Sequence, residues 1–181
     1  MENIEGKNIV LQKINNYNIY LLYEWRNNPS FLRYLTARPK IASFEDFQLE
    51  LERDFTRDRH LQYLISYRNT FFGTIYSYSY NNYDRYYFIS IFTLLEFKNS
   101  GLGITAVAIF CKYLFKRYNL FKIYFDIYDF NSQLVSALIK RSFKIEGKFI
   151  KQHLYEGSRY DVIRFAIYLE DINAWAKYAS F

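Results

Sequence analysis

Apolar and polar residues alternate along neighbouring segments in the middle of the chain. The clearest case is Thr74–Tyr87, where tyrosine alternates with serine, the chain turns at Asn81-Asn82, and aromatic residues then resume. A period of two is typical of strands with one buried face, and asparagine is common in the turns between strands. The pattern therefore predicts an antiparallel meander of three strands: Leu61–Tyr67, Phe71–Tyr80 and Arg85–Leu95.

The residues before this meander predict one strand and two helices: a strand over Ile4–Lys13, a helix from about Asn16 to Arg26, and a helix from Ser43 to about Phe55. The first helix ends at the Asn27-Asn28-Pro29-Ser30 turn, because proline disfavours helix in the residue before it. An irregular stretch is expected from that turn to Pro39. Ser43, with Asp46 three residues later, is typical of the N-cap of a helix.

A helical period follows the meander and indicates a helix over Gly103–Tyr118. The remaining pattern predicts a strand, a helix and a closing hairpin with its turn at Glu156-Gly157: Phe121–Tyr128, Ser132–Arg141, Lys148–Tyr155 and Tyr160–Leu169. The order β-α-α-β-β-β-α-β-α-β-β predicts an α/β protein with a mixed sheet, antiparallel at first and then with a parallel crossover at its centre. Residues 1–181 are expected to form a single domain.

Composition limits the chemistry that we expect from this chain. Its one cysteine, Cys111, excludes an internal disulfide, and its two histidines, His60 and His153, are too far apart in sequence to suggest zinc. A metal site built only from carboxylates stays open. Since no apolar stretch is long enough to span a bilayer and no signal-peptide pattern begins the sequence, we expect a cytoplasmic protein without a membrane span.

The net charge of +6 is concentrated in the second half of the chain, between Lys98 and Lys151. A basic excess favours a partner that carries phosphates, although a solvated basic face without a ligand gives the same pattern. The tyrosines of the meander offer stacking surfaces for RNA bases, but a tyrosine-rich strand face more often packs within a sheet. Nucleic acid is therefore not expected as a partner.

Glycine is scarce, with six in the chain, and two of them lie between a predicted strand and a predicted helix. They are Gly101 and Gly103 in the segment Lys98-Asn99-Ser100-Gly101-Leu102-Gly103. Residues without a side chain let backbone N–H groups approach a ligand, and a helix N-terminus adds unpaired donors and a positive dipole end. The segment predicts a pyrophosphate-binding loop, with a tight strand-to-helix turn as the alternative.

Two kinds of phosphate-binding protein carry such a glycine pair. Gly101, Gly103 and Ala106 match the dinucleotide fingerprint, and Asp126 follows at about the expected 20 residues. That fingerprint expects a strand that runs directly into its first glycine, within successive βαβ units. Here three antiparallel strands come first, so a Rossmann dehydrogenase is not favoured.

The same segment resembles the signature of the GNAT superfamily of acyl-CoA-dependent N-acyltransferases, Q/R-x-x-G-x-G/A, with Lys98 in place of glutamine or arginine. Trp25-Arg26-Asn27-Asn28-Pro29 is similar to the W-R-N-D-P sequence of one branch, which contains ribosomal-protein, spermidine and amino-sugar-nucleotide N-acetyltransferases. Other positions that match this branch are Phe72-Gly73-Thr74, Asn131, Lys140, Phe143, Glu146-Gly147, Gly157 and Asp161. The resemblance covers nearly the whole chain and implies the GNAT fold.

The resemblance also implies an activity, in which an amine attacks the thioester of acetyl-CoA directly and no metal takes part. The pyrophosphate would bind the backbone of Lys98–Gly103, and the pantetheine arm would contact Thr93 and Asn131. The cofactor residues implied in this way are Thr93, Lys98, Asn99, Ser100, Gly101, Leu102, Gly103 and Asn131.

Such a reaction needs a base for the amine, a donor for the developing oxyanion and a proton for the leaving thiolate. Many members of the family place a tyrosine general acid where this chain has Leu138, and the chain also departs from the family at Leu134 and Ser142. The candidate catalytic residues are Glu24, Asp126 and Tyr128, with Ser90 and Glu96 on or beside the fourth strand.

Arg26 and His153 are the candidate substrate residues. His153 lies on the closing hairpin and is a candidate base, although a histidine on the surface is the more frequent case. Arg26 contacts the acceptor or forms an ion pair.

The acceptor is expected to be a small-molecule amine, and a basic chain suits an anionic one, such as a nucleotide-linked amino sugar, better than a polyamine. A protein N-terminal acetyltransferase and a non-catalytic acyl-CoA-binding module are the alternatives, the latter because Leu138 replaces the usual acid. Members of the family often dimerise, so a homodimer is compatible with the resemblance.

Overall fold

The computed structural model of the chain describes residues 2–6, 8–35, 40–41, 43–57 and 60–175. Its centre is one eight-stranded sheet in the order β1-β2-β3-β4-β5-β6-β8-β7. The strands are β1 Ile4–Glu5, β2 Ile9–Lys13, β3 Leu61–Tyr67, β4 Thr70–Asn81, β5 Tyr86–Thr93, β6 Lys122–Tyr128, β7 Lys144–Tyr155 and β8 Ser158–Tyr168. All neighbouring pairs are antiparallel except β5 and β6. The predicted mixed sheet, antiparallel at first and with a parallel central crossover, is confirmed.

Helices cover both faces of this sheet. They are α1 Ile19–Arg26, α2 Pro29–Leu35, α3 Phe44–Arg57, α4 Leu102–Tyr118, α5 Ser132–Lys140 and α6 Leu169–Trp175. The predicted cap of α3 is confirmed, because the Ser43 hydroxyl accepts a hydrogen bond from the Asp46 backbone N–H at 3.1 Å and donates one to the Asp46 carboxylate at 2.8 Å. Among the described residues, no helix is both long and apolar enough to cross a membrane.

Two predictions for the first forty residues were wrong. The single strand over Ile4–Lys13 is a small hairpin of β1 and β2, closed where the Gly6 N–H donates to the Ile9 carbonyl at 2.8 Å. The stretch after Arg26 was expected to be irregular, but Pro29 begins helix α2 instead. Proline at the first position of a helix loses no hydrogen bond, because that N–H has no acceptor within the helix. Residues 36–39 of the same stretch lie outside the described part.

Alternate residues of the strands pack into two separate cores. Tyr63 and Ile65 point to the α4 face, while Leu64, between them, points to the α1–α3 face. The larger core lies under α4 and includes buried side chains from α5 and α6, Leu138 and Ile172. The cavity described below lies on the α1–α3 face.

The parallel pair at the centre of the sheet is short. β5 and β6 pair only at Tyr86–Phe88 with Lys122–Tyr124. Beyond Phe88 and Tyr124 no further pairing is present, although both strands continue, β5 to Thr93 and β6 to Tyr128. The two strands therefore separate, and the backbone groups on their facing edges have no partner strand in the open part of the sheet.

Candidate active site

The glycine loop, residues 98–103, follows a short 3-10 helix after β5, Leu95–Phe97, and leads into the start of α4. Gly101 is the N-cap of α4 and adopts a left-handed backbone with φ of 82°. Asn99 is also left-handed, with φ of 63°. The Ser100 hydroxyl braces the loop, because it donates to the Phe97 carbonyl at 2.7 Å and accepts from the Leu102 N–H at 3.2 Å. A loop of alternating left-handed residues presents backbone N–H groups on one side, a known arrangement for anions.

This loop fits a pyrophosphate on two further observations. A Cβ atom added to Gly101 would meet nothing within 4 Å, so the space beside it is open to a ligand. The N–H groups of Gly103 and Ile104 lie in the first turn of α4, where a helix supplies no acceptor. The loop also adjoins the end of β5, since a Cβ on Gly103 would lie 3.6 Å from Cγ2 of Thr93.

A cavity of about 280 Å³ lies on the α1–α3 face, beside the separating strands. We call it the β6–β8 cavity, and it is lined by Tyr34, Leu35, Tyr78, Ser90, Asp126, Tyr128, Phe149, Gln152, His153, Val162 and Arg164. Contact with the glycine loop is direct, because the ammonium group of Lys98 lies 5.3 Å from the centre of the Tyr34 ring. The loop and the cavity therefore adjoin each other in the structure.

An ion pair forms one wall of the β6–β8 cavity. The Arg164 guanidinium donates from Nε and Nη2 to the two carboxylate oxygens of Asp126, at 2.9 and 2.8 Å. The guanidinium also packs against the rings of Phe88 and Phe149, with its carbon 4.6 and 4.7 Å from the ring centres. The bonds to Asp126 raise the pKa of Arg164 above its ordinary value, so the guanidinium stays charged. Both oxygens of the candidate catalytic residue Asp126 are thus already engaged.

His153 and Tyr128 form a stacked pair in the same cavity. Their ring centres are 3.7 Å apart and their planes are 7° from parallel. His153 is 6% exposed, which differs from the expectation of a surface histidine, and its Nε2 has no hydrogen-bond partner among the described residues. Burial lowers the pKa of His153 below its ordinary value, so the ring is neutral at pH 7.

Tyr128 keeps its proton at neutral pH. Burial, together with the negative charge of Asp126, raises the pKa of Tyr128 above its ordinary value. Its hydroxyl makes no hydrogen bond to any residue that the structure describes. A neutral imidazole with a free nitrogen can accept a proton, and a protonated phenol can donate one.

The other sequence-predicted residues lie at different places. Arg26 is buried on α1 and its Nε donates to Glu50 at 2.8 Å, which is the ion-pair alternative that the sequence left open. Glu24, on the same helix, is exposed and does not line the β6–β8 cavity, and Glu96 is exposed beside β5. Asn131 is the N-cap of α5, and its N–H donates to the Tyr128 carbonyl at 2.9 Å, so it adjoins the cavity from the end of β6.

Several residues that line the cavity were not found from the sequence. Tyr34, on the unpredicted helix α2, and Phe149 and Arg164, on the closing hairpin, are among them. Arg164 could be found from the sequence by its charge, because it lies on β8 opposite Asp126 of β6 and the two form a cross-strand pair of opposite charge. That signal requires β8 rather than β7 to be the neighbour of β6, and the sequence does not state this order.

A splayed sheet with a glycine-containing helix N-terminus beside it is the arrangement of an α/β protein that holds a phosphate-bearing ligand. Comparison with protein families gives the same class, since the model described as acetyltransferase (GNAT) domain matches residues 8–144. The chain belongs to the GNAT acetyltransferase family. It is accordingly an N-acetyltransferase that uses acetyl-CoA, as the sequence predicted. The glycine loop fits that substrate, because its open, donor-rich backbone suits the pyrophosphate.

Solved structures with the same fold extend over nearly the whole chain. A spermidine N-acetyltransferase from Vibrio cholerae, in complex with CoA and spermine, has a TM-score of 0.82 at 18% identity and covers 93% of this chain and 99% of its own. A ribosomal-protein alpha-N-acetyltransferase in complex with CoA has a TM-score of 0.80 at 15% identity, with coverage of 94% and 99%. At these identities the likeness shows the fold alone. Comparison with the curated proteins gives no match.

The structure shows no candidate metal centre in the part of the chain that it describes. No three residues among its histidines, cysteines, aspartates and glutamates lie together in a way that could hold an ion. Cys111 is buried, and burial raises the pKa of its thiol, so it is an inert core residue.

Proposed function

We propose that the protein acetylates the primary amine of a small molecule that enters the β6–β8 cavity. The observation that carries this proposal is the contact between the glycine loop and the cavity. Ser90 on β5 and Asp126 and Tyr128 on β6 line the cavity from the separating strands, and Lys98 of the glycine loop reaches its Tyr34 wall. An amine in the cavity is therefore beside the place where acetyl-CoA would bind.

The same proposal assigns the substrate acetyl-CoA to this chain's residues. The backbone of Lys98, Asn99, Ser100, Gly101, Leu102 and Gly103 would hold the pyrophosphate, because it offers open N–H donors. Thr93 at the end of β5 and Asn131 at the start of α5 would contact the pantetheine arm from the two sides of the splay. The side chain of Asn131 makes no capping hydrogen bond to α5, so its amide is available for this role.

Acetyl-CoA supplies an activated acetyl group, and the amine forms a bond to the acetyl carbon as the carbon–sulfur bond breaks. The amine loses one proton and the departing sulfur gains one. We assign the first proton to Nε2 of His153, because this residue lines the cavity and the nitrogen has no partner among the described residues. The nitrogen is covered in the structure, so this assignment requires a small movement of a neighbouring side chain when the amine binds. Asp126 is the less suitable base, since both its oxygens accept from Arg164.

Tyr128 is our candidate for the group that donates a proton to the departing sulfur. The position at which the family usually has its tyrosine, Leu138, is 6% exposed and belongs to the core under α4. The proton must therefore come from elsewhere, and Tyr128 is a protonated phenol on β6 beside the splay. Its stacking on His153 would also hold the two groups at a fixed separation.

The test is release of free thiol from acetyl-CoA in the presence of a panel of amines, with mass spectrometry of the acetylated product. His153→Gln should lower kcat about a hundredfold at pH 7.5, the lower end of the usual range for loss of a general base, while the KM for acetyl-CoA stays unchanged. His60→Gln is the matched control, because His60 is the other histidine, is similarly buried at 7% exposed, and lines a different cavity. If kcat falls equally in the two variants, His153 is not the general base.

The alternatives give different results in the same assay. Turnover on peptides but not on small amines would make the protein an N-terminal protein acetyltransferase. Preference for a nucleotide-linked amino sugar would keep the small-molecule proposal and specify an anionic acceptor. Binding of CoA without turnover on any amine would leave a non-catalytic acyl-CoA-binding module and refute the proposal.

A further inference from the structure

The charges around the β6–β8 cavity are unusual for a site that takes a polyamine. Among the described lining residues the only carboxylate is Asp126, and Arg164 neutralises it. Two further cations lie against the ring of the lining residue Tyr34: the Arg33 guanidinium is 5.6 Å from the ring centre, and the Lys98 ammonium is 5.3 Å from it. No unpaired carboxylate of the described lining is available to bind a second or third ammonium group.

Five of the eleven residues that line the cavity carry a ring. Tyr34 comes from α2, Tyr78 from β4, Tyr128 from β6 and Phe149 from β7, and His153 adds a fifth flat surface. Aromatic walls favour ligands with a flat apolar body, because ring pairs gain energy beyond that of burial alone. Phe149 is 38% exposed, so part of its ring surface is free to contact a ligand.

The size of the cavity limits the ligand to a small one. Its volume of about 280 Å³ is near the lower end of ligand pockets, which begin at roughly 300 Å³. One ring and a short arm fit such a space. Polar groups are frequent in the lining: they include Ser90, Asp126 and His153, and also Gln152, Arg164 and the tyrosine hydroxyls.

From charge, walls and size together, we infer that the acceptor is a primary monoamine carried on a short arm from one aromatic ring, and not a polyamine. The ring lies against Tyr34, Tyr78 and Phe149, and the amine lies toward His153. This inference rests on the proposed function and specifies its substrate class. Although a fold neighbour is a spermidine N-acetyltransferase, the lining of this cavity is not suited to a substrate with three positive charges.

The experiment compares kcat/KM for 2-phenylethylamine and for spermidine at saturating acetyl-CoA. We expect 2-phenylethylamine to be preferred by at least tenfold. Equal or better use of spermidine, a peptide or an amino sugar would overturn the inference, while the small-amine proposal survives the spermidine and sugar results. No turnover with any acceptor would instead refute the proposed function, and the inference with it.

Two variants test the separate parts of the argument. Phe149→Ala should raise the KM for 2-phenylethylamine about tenfold, since it removes one ring wall, and leave the KM for acetyl-CoA unchanged. Tyr83→Ala is the matched control, because Tyr83 is 95% exposed in the turn after β4 and lies outside the cavity. Arg33→Glu should lower the ratio of kcat/KM for 2-phenylethylamine to that for spermidine by about tenfold, because it replaces a cation near Tyr34 with an anion. An unchanged preference in Arg33→Glu would contradict the charge argument.

Discussion

A negative charge introduced at position 101 gives the sharpest test of whether the glycine loop binds the pyrophosphate. Gly101→Glu and Gly101→Gln differ only in charge, and both place a side chain in the open space beside the loop, where nothing lies within 4 Å. Neither variant should clash with the rest of the protein. Both should strain the backbone equally, because φ is 82° and a left-handed residue with a Cβ costs about 1 kcal/mol. For a chain of this length that strain lowers Tm by about 2–4 °C.

The expected difference between the variants is electrostatic. A carboxylate about 4 Å from a phosphate costs about 1 kcal/mol in water and about 4 kcal/mol in a partly screened protein site. Because Gly101 is exposed, we take an intermediate value of about 2 kcal/mol, which corresponds to roughly thirtyfold weaker binding. Gly101→Glu should therefore bind CoA about thirtyfold more weakly than Gly101→Gln, and high salt should reduce the difference.

Isothermal titration calorimetry with CoA at low and high salt measures this difference, and thermal unfolding checks that both variants fold. Gly103→Ala completes the series, because residue 103 lies in α4 and an added Cβ makes only an ordinary contact with Thr93 at 3.6 Å. It should not lower Tm. If Gly101→Glu and Gly101→Gln bind CoA equally, the pyrophosphate does not lie at this loop.

Three further predictions concern stability. Burial lowers the folded pKa of His153, so stability should fall as pH drops below the ordinary histidine value of about 6.5 and through the folded pKa, and His153→Gln should reduce this loss in denaturant titrations. Gly73→Ala should cost about 3 kcal/mol of unfolding free energy, because its Cβ would overlap the backbone oxygen of Phe92 on β5. Glu50→Ala should cost about 2 kcal/mol, since it removes a carboxylate that pairs with the buried Arg26, and should leave the KM values unchanged.

Each of these has an outcome that would contradict it. The His153 prediction is wrong if the variant and the parent lose stability equally between pH 7 and pH 5. A Tm for Gly73→Ala within a degree of the parent would mean that β4 and β5 move apart at little cost. If Glu50→Ala raises the KM for the amine and leaves Tm unchanged, Arg26 contacts the acceptor, and the ion pair is not its main role.

Much of the fold follows from local pattern. The helical period after Gly103 reflects one buried face, whereas the strands of the meander pack against a core on each side, and both patterns predicted the elements correctly. The error at Pro29 has a physical origin, because proline ends a preceding helix and begins a following one with equal ease. The hairpin of β1 and β2 was missed because β1 is only two residues long, so that Gly6 and Asn8 were included in a strand although both residue types are common in turns.

The candidate site was less accessible from the sequence, because its parts come from distant segments. The glycine loop is local, and it lies before α4 as its residues predicted, whereas its binding of a pyrophosphate stays a prediction. By contrast, the pairing of Asp126 with Arg164 depends on β8 entering the sheet between β6 and β7. The burial of His153 depends on the same order and on Tyr128 stacking against it. No local pattern contains that information.

The separation of β5 and β6 has a thermodynamic consequence for how this protein can be improved. Continued pairing beyond Phe88 and Tyr124 would add backbone hydrogen bonds, each worth about 1 kcal/mol. A library selected only for heat resistance would therefore favour sequences that close the sheet, and those sequences would lose the opening at which we propose that acetyl-CoA binds. Selection for thermostability in this chain must retain an activity screen, because at these two strands the most stable sheet and the working enzyme are different structures.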